Sequence, residues 1–187
     1  MQSTNQTTLP AVVNTYIALF RGVNVGGKGI LPMKDLVGIL EGMGFREVKT
    51  YIQSGNAVFR STPVPIEETA REIRSRILET HGFAPAVLLL EASELQDAID
   101  RNPFMTTDGK ALHFFFLESQ PTRPDLEGLM AVKAESEEFK LDKKVFYLCA
   151  PDGIGRSKLA ARVEQSMGVP VTARNWNTVS QLISMAG

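Results

Sequence analysis

Two kinds of hydrophobic periodicity alternate along this chain, and their order occurs twice; that repetition restricts the fold more than any single motif. Tyr16 to Arg21 reads as a strand, and Pro32 to Met43 as a helix with Met33, Leu36, Val37 and Leu40 on one face, stopped by Gly44. Val48 to Gln53 and Ala57 to Arg60 are β-rich runs around Ser54-Gly55-Asn56, residues that suit a tight hairpin turn. A helix follows over Ile66 to His81, ended by Gly82, and then an aliphatic run, Ala86 to Leu90, typical of a strand covered on both faces. The order is βαββαβ.

Glu91 to Thr107 connects the halves, with a helix starting at Ser93 through its capping-box spacing to Gln96. The pattern then restarts. Ala111 to Leu117 is a strand, Pro124 to Val132 a helix, and Glu137 to Leu141 plus Val145 to Cys149 a hairpin around Asp142-Lys143. Arg156 to Met167 suits a helix, Val169 to Ala173 a strand, and Asn175 or Asn177 caps a closing helix through Met185. The halves share element order without residue identity. The expected fold is α+β: two ferredoxin-like (βαββαβ) subdomains over 15–91 and 111–187, a connecting helix within 92–110, a C-terminal helix, and a flexible tail over 1–14.

Composition narrows the function classes. A formal net charge of -1 over 187 residues argues against a surface built to wrap long nucleic acid, so any basic site is a local patch. Cys149 is the single cysteine, which excludes an internal disulfide framework and fits a reducing compartment, read as the cytoplasm. The first fourteen residues have neither the basic nor the apolar region of a signal peptide, and no stretch is long and apolar enough to span a membrane.

The first candidate site is the Gly-rich loop after the first strand, Arg21-Gly22-Val23-Asn24-Val25-Gly26-Gly27-Lys28. Glycines let a ligand approach backbone N–H groups while Arg21 and Lys28 supply positive charge, so the natural guest is an anion. In a βαββαβ sandwich this loop lies at the same sheet edge as the turn between strands two and three. That brings it to Gln53, Ser54 and Asn56. The alternative is that the glycines only satisfy turn geometry while Asn24 and Asn56 make local bonds. Gly22, Gly27 and Lys28 match the phosphate-cradling G-x-x-x-x-G-K-[ST] pattern, but Gly29 replaces the magnesium-binding hydroxyl and no helix follows at once, so a triphosphatase loop is disfavoured.

A second candidate, Asp152-Gly153-Ile154-Gly155-Arg156-Ser157-Lys158, places cations at an expected helix start, which an anionic ligand or a nearby carboxylate would offset. A third, Arg174-Asn175-Trp176-Asn177-Thr178, sets the sole tryptophan beside a cation and two amides, as a stacking surface or as ordinary packing. Cys149 and His113 are expected near each other but in apolar strands, where burial makes a thiol inert, and two histidines with one cysteine make no zinc site. Glu135, Glu137 and Glu138 read as the solvated face of an edge strand.

With Arg21 to Lys28, Tyr51-Ile52-Gln53-Ser54-Gly55-Asn56, Asp152 to Lys158 and Arg174 to Thr178 in this order, the chain resembles a bacterial family of unknown function. The resemblance implies a two-part α+β protein of ferredoxin-like subdomains, with no established substrate, cofactor or catalytic residue. The expected function is binding of a phosphate-bearing ligand, a nucleotide or short nucleic acid, at the Gly-rich basic loops, held by Arg21, Lys28 and the Gln53 to Asn56 turn. The alternatives are an enzyme with its site between the subdomains, where Arg156, Lys158 and Arg174 stabilise developing negative charge, and a partner-binding scaffold.

Overall fold

A computed structural model describes residues 12–53, 55–106 and 108–187. Ser54, Thr107 and all but the last three residues of the expected tail lie outside these. Strand β1 (Asn14–Arg21) begins inside the stretch read as tail, with Asn14 opposite Ser61. It is followed by α1 (Met33–Gly42), β2 (Arg46–Thr50), β3 (Asn56–Ser61), α2 (Ile66–His81) and β4 (Ala86–Glu91). Next come α3 (Ala92–Asp100), β5 (Leu112–Leu117), α4 (Leu126–Val132), β6 (Glu138–Asp142) and β7 (Val145–Cys149). The chain closes with α5 (Val163–Met167), β8 (Val171–Asn175) and α6 (Trp176–Ala186).

The strands form two four-stranded antiparallel sheets, ordered β2-β3-β1-β4 and β6-β7-β5-β8. Each is the strand order of a ferredoxin-like sandwich, so the repeated order of elements is a repeated topology. Successive side chains on a strand point to opposite faces. In β1, Tyr16, Ala18 and Phe20 therefore join Leu36 and Leu40 of α1 and Ile73 and Ile77 of α2 in one core. In the second sheet Phe115, Phe146 and Leu148 likewise pack on Leu129 of α4 and Val163 and Met167 of α5.

The opposite faces of the two sheets share a third core. Ile17, Leu19 and Val58 from the first meet Phe114, Phe116 and Tyr147 from the second, together with Leu95 and Ala98 of α3 and Val179 and Leu182 of α6. Both central strands are thus covered on both sides, which explains their unbroken apolar runs. The Tyr147 hydroxyl donates to Ala98 O at 2.8 Å, and burial first, then Asp142, pushes its pKa up to about 12, so it remains a donor.

Three local expectations give way to competing interactions. Helix α3 starts at Ala92, not Ser93, because Glu94 accepts from the Glu91 backbone N–H at 2.9 Å, which moves the capping box two residues back. The expected helix over Arg156 to Met167 is α-helical only in α5; before it come two single 3₁₀ turns, Ile154–Arg156 and Ala160–Arg162. Between them Ser157 is extended (φ -71°, ψ 113°), and its Oγ accepts from Ala160 N at 2.9 Å, an alternative to helical bonding. Strand β2 ends at Thr50, with an irregular register between Arg46 and Lys49 and Glu47 at φ 51°.

Candidate functional site

The two loops at the end of the first sheet do meet. Phe20 N donates to Gly55 O at 2.9 Å, and a Cβ on Gly55 would come within 2.7 Å of Phe20 Cβ, so only glycine fits there. Asn24, at φ 54°, is the hub: its Nδ2 donates to Leu31 O at 2.9 Å and to Gln53 O at 2.8 Å, and its Oδ1 accepts from Leu31 N at 2.9 Å. Between Val25 and Lys28 the chain makes a turn closed by Lys28 N to Val25 O at 3.0 Å, with Gly26 at φ 58° and Gly27 at φ 75°. Two successive left-handed residues are the requirement of a type I′ turn, which accounts for the paired glycines.

Much of the polar chemistry of this edge is committed internally. Arg21 Nη1 donates to Glu164 Oε1 at 2.6 Å and to Val171 O at 2.9 Å, tying β1 to the second half; the Arg21 hydrogen bond holds the Glu164 carboxyl below its usual range. Arg174 of β8 donates from Nε to Asn56 Oδ1 at 2.6 Å and from Nη2 to Phe20 O at 2.7 Å and Gly55 O at 3.1 Å. Burial pulls its pKa down to about 10, so it stays charged at neutral pH. Asn56 is itself fully buried and donates to Tyr51 O at 3.1 Å. Lys28 and Gln53 stay exposed, as do Val25 (63%), Ile30 (58%) and Ile52 (50%, at φ 51°). Each of these three aliphatics adjoins a residue in the Asn24 hydrogen-bond hub.

The second loop lines a cleft of about 310 Å³. One wall is the segment from Val132 to Glu137 between α4 and β6, and the other runs from Ala150 to Lys158 after β7. Ser136 Oγ donates to Asp152 Oδ2 at 2.6 Å across the two segments. Arg156 and Lys158 line the cleft, and among the described residues neither makes an ion pair. Ser157 lines it too, with its Oγ already engaged as the cap on Ala160.

Glu137 corrects the sequence reading. It is not on the solvated face of an edge strand: it precedes β6 and is only 4% exposed, because the chain turns back at Ala134 to Glu137. Ala134 N donates to Glu137 Oε2 at 2.9 Å, and Glu137 N donates to Ala134 O at 3.1 Å. Oε1 has no hydrogen-bond partner among the described residues, and the side chain lines the cleft. A run of four polar residues, Glu135 to Glu138, carries no periodic signal that would separate the buried carboxylate from its neighbours.

Residues 13–147 match the pattern of a family described as "Protein of unknown function (DUF1697)". The chain belongs to this family. The DUF1697 match includes the first Gly-rich loop and ends before Asp152 to Lys158 and Arg174 to Thr178. No curated protein matches the chain. Among solved structures it is similar to "conserved bacterial protein SP0830 from Streptococcus pneumoniae", with a TM-score of 0.70 and 21% identity over 94% of this chain and 100% of that one. That likeness concerns the fold.

In this DUF1697 member the third motif serves largely as structure. Asn175 Oδ1 caps α6 by accepting from Thr178 N at 3.0 Å, and Trp176 stacks on Phe114 with ring centroids 5.9 Å apart. Asn177 is exposed, its carbonyl accepting from Ser180 Oγ at 3.1 Å. Cys149 lies opposite Leu112 and His113 opposite Leu148, so the thiol and the imidazole point to opposite faces of the sheet. Burial raises the Cys149 thiol, so the pair is not a nucleophile and base.

His113 is 7% exposed, its Nδ1 has no hydrogen-bond partner among the described residues, and burial holds its pKa below the ordinary 6.5. The unfolded chain therefore takes the proton first. The neutral ring's contribution is complete above the unfolded value of 6.5 and is lost as pH falls through the lower native value. Denaturant titrations at pH 7 and pH 5 should show stability falling, and falling less in His113→Phe; an equal decline would remove His113 as the cause.

Proposed function

We propose that this protein binds a phosphate-bearing ligand, with Arg156 and Lys158 as the groups that hold the anion. The observation that carries the reading is that both cations line one cleft and neither is neutralised by an ion pair with a described carboxylate. Charge-assisted hydrogen bonds to phosphate are the stronger kind, about 1.5–3 kcal/mol each. Arg21, Gly22, Asn24, Gly26, Gly27, Gln53, Asn56 and Arg174 enter as the frame that shapes the first loop and joins it to the second half, and Lys28 as a peripheral cation. The single cysteine goes with a cytoplasmic location.

The alternative of an enzyme site between the halves has less support, because the facing sides of the sheets are filled by Ile17, Leu19, Phe114, Phe116, α3 and α6. The scaffold alternative draws on the exposed Val25, Ile30 and Ile52. Isothermal titration with inorganic phosphate and nucleoside monophosphates tests the main reading. We expect saturable binding that the Arg156→Ala/Lys158→Ala double variant weakens at least tenfold, about 1.4 kcal/mol, while Lys28→Ala leaves it unchanged. Absence of binding, or undiminished binding in the double variant, would overturn it.

A further inference from the structure

The cleft between the α4–β6 connection and the loop after β7 has a chemical polarity that phosphate alone does not use. Its walls carry two cations, Arg156 and Lys158, and two carboxylates, Glu137 and Asp152. A bare dianion gains nothing from the net charge of such a lining, so what discriminates is the arrangement. Both cations belong to the segment after β7, and Glu137 to the segment before β6.

Mutual neutralisation is the first explanation to test for this pairing of signs. A carboxylate only 4% exposed, with a single hydrogen bond from Ala134 N, would gain most from a direct ion pair. Yet neither Arg156 nor Lys158 comes within the 4.0 Å of one. The Ser136 to Asp152 hydrogen bond joins the two lining segments without engaging Glu137 or either cation. Glu137 Oε2 is engaged by Ala134 N, which leaves Oε1 open to the cleft as an acceptor with no partner among the described residues.

We infer that the ligand is a phosphate monoester of a polyhydroxylated sugar, its phosphate held by Arg156 and Lys158 and a hydroxyl donated to Glu137 Oε1. This rests on the phosphate-binding reading above and specifies the other end of the ligand. The size agrees: about 310 Å³ lies at the low end for small-molecule sites, which suits one sugar phosphate unit and not an oligonucleotide. A free pentose phosphate and the ribose phosphate of a mononucleotide share this chemistry.

The test compares ribose 5-phosphate, adenosine 5′-monophosphate, ethyl phosphate and inorganic phosphate by isothermal titration against the full chain. Ethyl phosphate carries the same charge with no hydroxyl. Ribose 5-phosphate should bind at least tenfold tighter than ethyl phosphate, and Glu137→Gln, which keeps an oxygen for Ala134 N, should bring that ratio close to one. Glu135→Gln, at an exposed position outside the cleft lining, is the control for a fold defect and should retain most of the preference. Adenosine 5′-monophosphate binding at least as well as ribose 5-phosphate assigns a nucleotide, and its exclusion assigns a free sugar phosphate. Equal affinity for ribose 5-phosphate and ethyl phosphate, or a ratio unchanged in Glu137→Gln, overturns the inference while phosphate binding stands. If none of the four binds, both readings fall.

Discussion

Replacing Arg174 with methionine should lower the melting temperature by roughly 10 °C, from a loss of about 3–5 kcal/mol at about 2–4 °C per kcal/mol for a chain of this size. Methionine fills much of the same space but donates nothing, so Phe20 O, Gly55 O and Asn56 Oδ1 lose the guanidinium that now reaches all three. These acceptors sit at the end of β1 and the start of β3, whereas the donor belongs to β8. The substitution thus unfastens one sheet from the other, in addition to removing a charge. Arg174→Lys should recover only part of the loss, because an ammonium lacks the planar fork that serves separated acceptors at once. Calorimetry gives the melting temperature. Hydrogen exchange at the Phe20 amide, which donates to Gly55 O, should speed up in the methionine variant. A shift below about 2 °C would mean that the guanidinium is dispensable for holding the halves together.

Phe114→Ala should cost a similar amount, about 3–5 kcal/mol, in the middle of the core shared by both sheets. Phe114 is fully buried, with ring centroids 6.1 Å from Phe116, 5.1 Å from Tyr147 and 5.9 Å from Trp176. Removing it deletes a side chain on which three other aromatic rings depend. Trp176 is the sole tryptophan, so its fluorescence reports this core directly, while far-ultraviolet circular dichroism reports both sheets. In urea the two signals should move together to a lower midpoint, because the halves share one apolar interior. Separate transitions would show that each sandwich is stable alone, contrary to the packing.

The element order was legible because amphipathic periodicity is a local property. Leu36 and Leu40 on α1, Ile73 and Ile77 on α2, and the unbroken β5 run all point inward as their spacing requires. Meeting of the Gly-rich loop with the Gly55 turn followed from topology alone. Less accessible was the fate of polar side chains, which depends on partners distant in sequence. Arg174 and Arg21 read as cations available to a ligand, yet one spans the buried junction to Asn56 and the other pairs with Glu164. Glu137 read as solvated because nothing in its neighbours announces the turn that buries it. The missed start of α5 has a similar origin, since the Ser157 cap competes with helix propensity residue by residue.

The core shared between the sheets also has a consequence during synthesis. Every strand of the first sheet has left the ribosome once Glu91 is free, but the face carrying Ile17, Leu19 and Val58 still lacks its cover. Part of that cover is α6, the last helix of the chain. At about 5–20 residues per second, the remaining stretch of roughly a hundred residues takes about 5–20 s to emerge. For that interval the nascent first half presents an aliphatic sheet to its surroundings, and a chain that stalls there keeps presenting it.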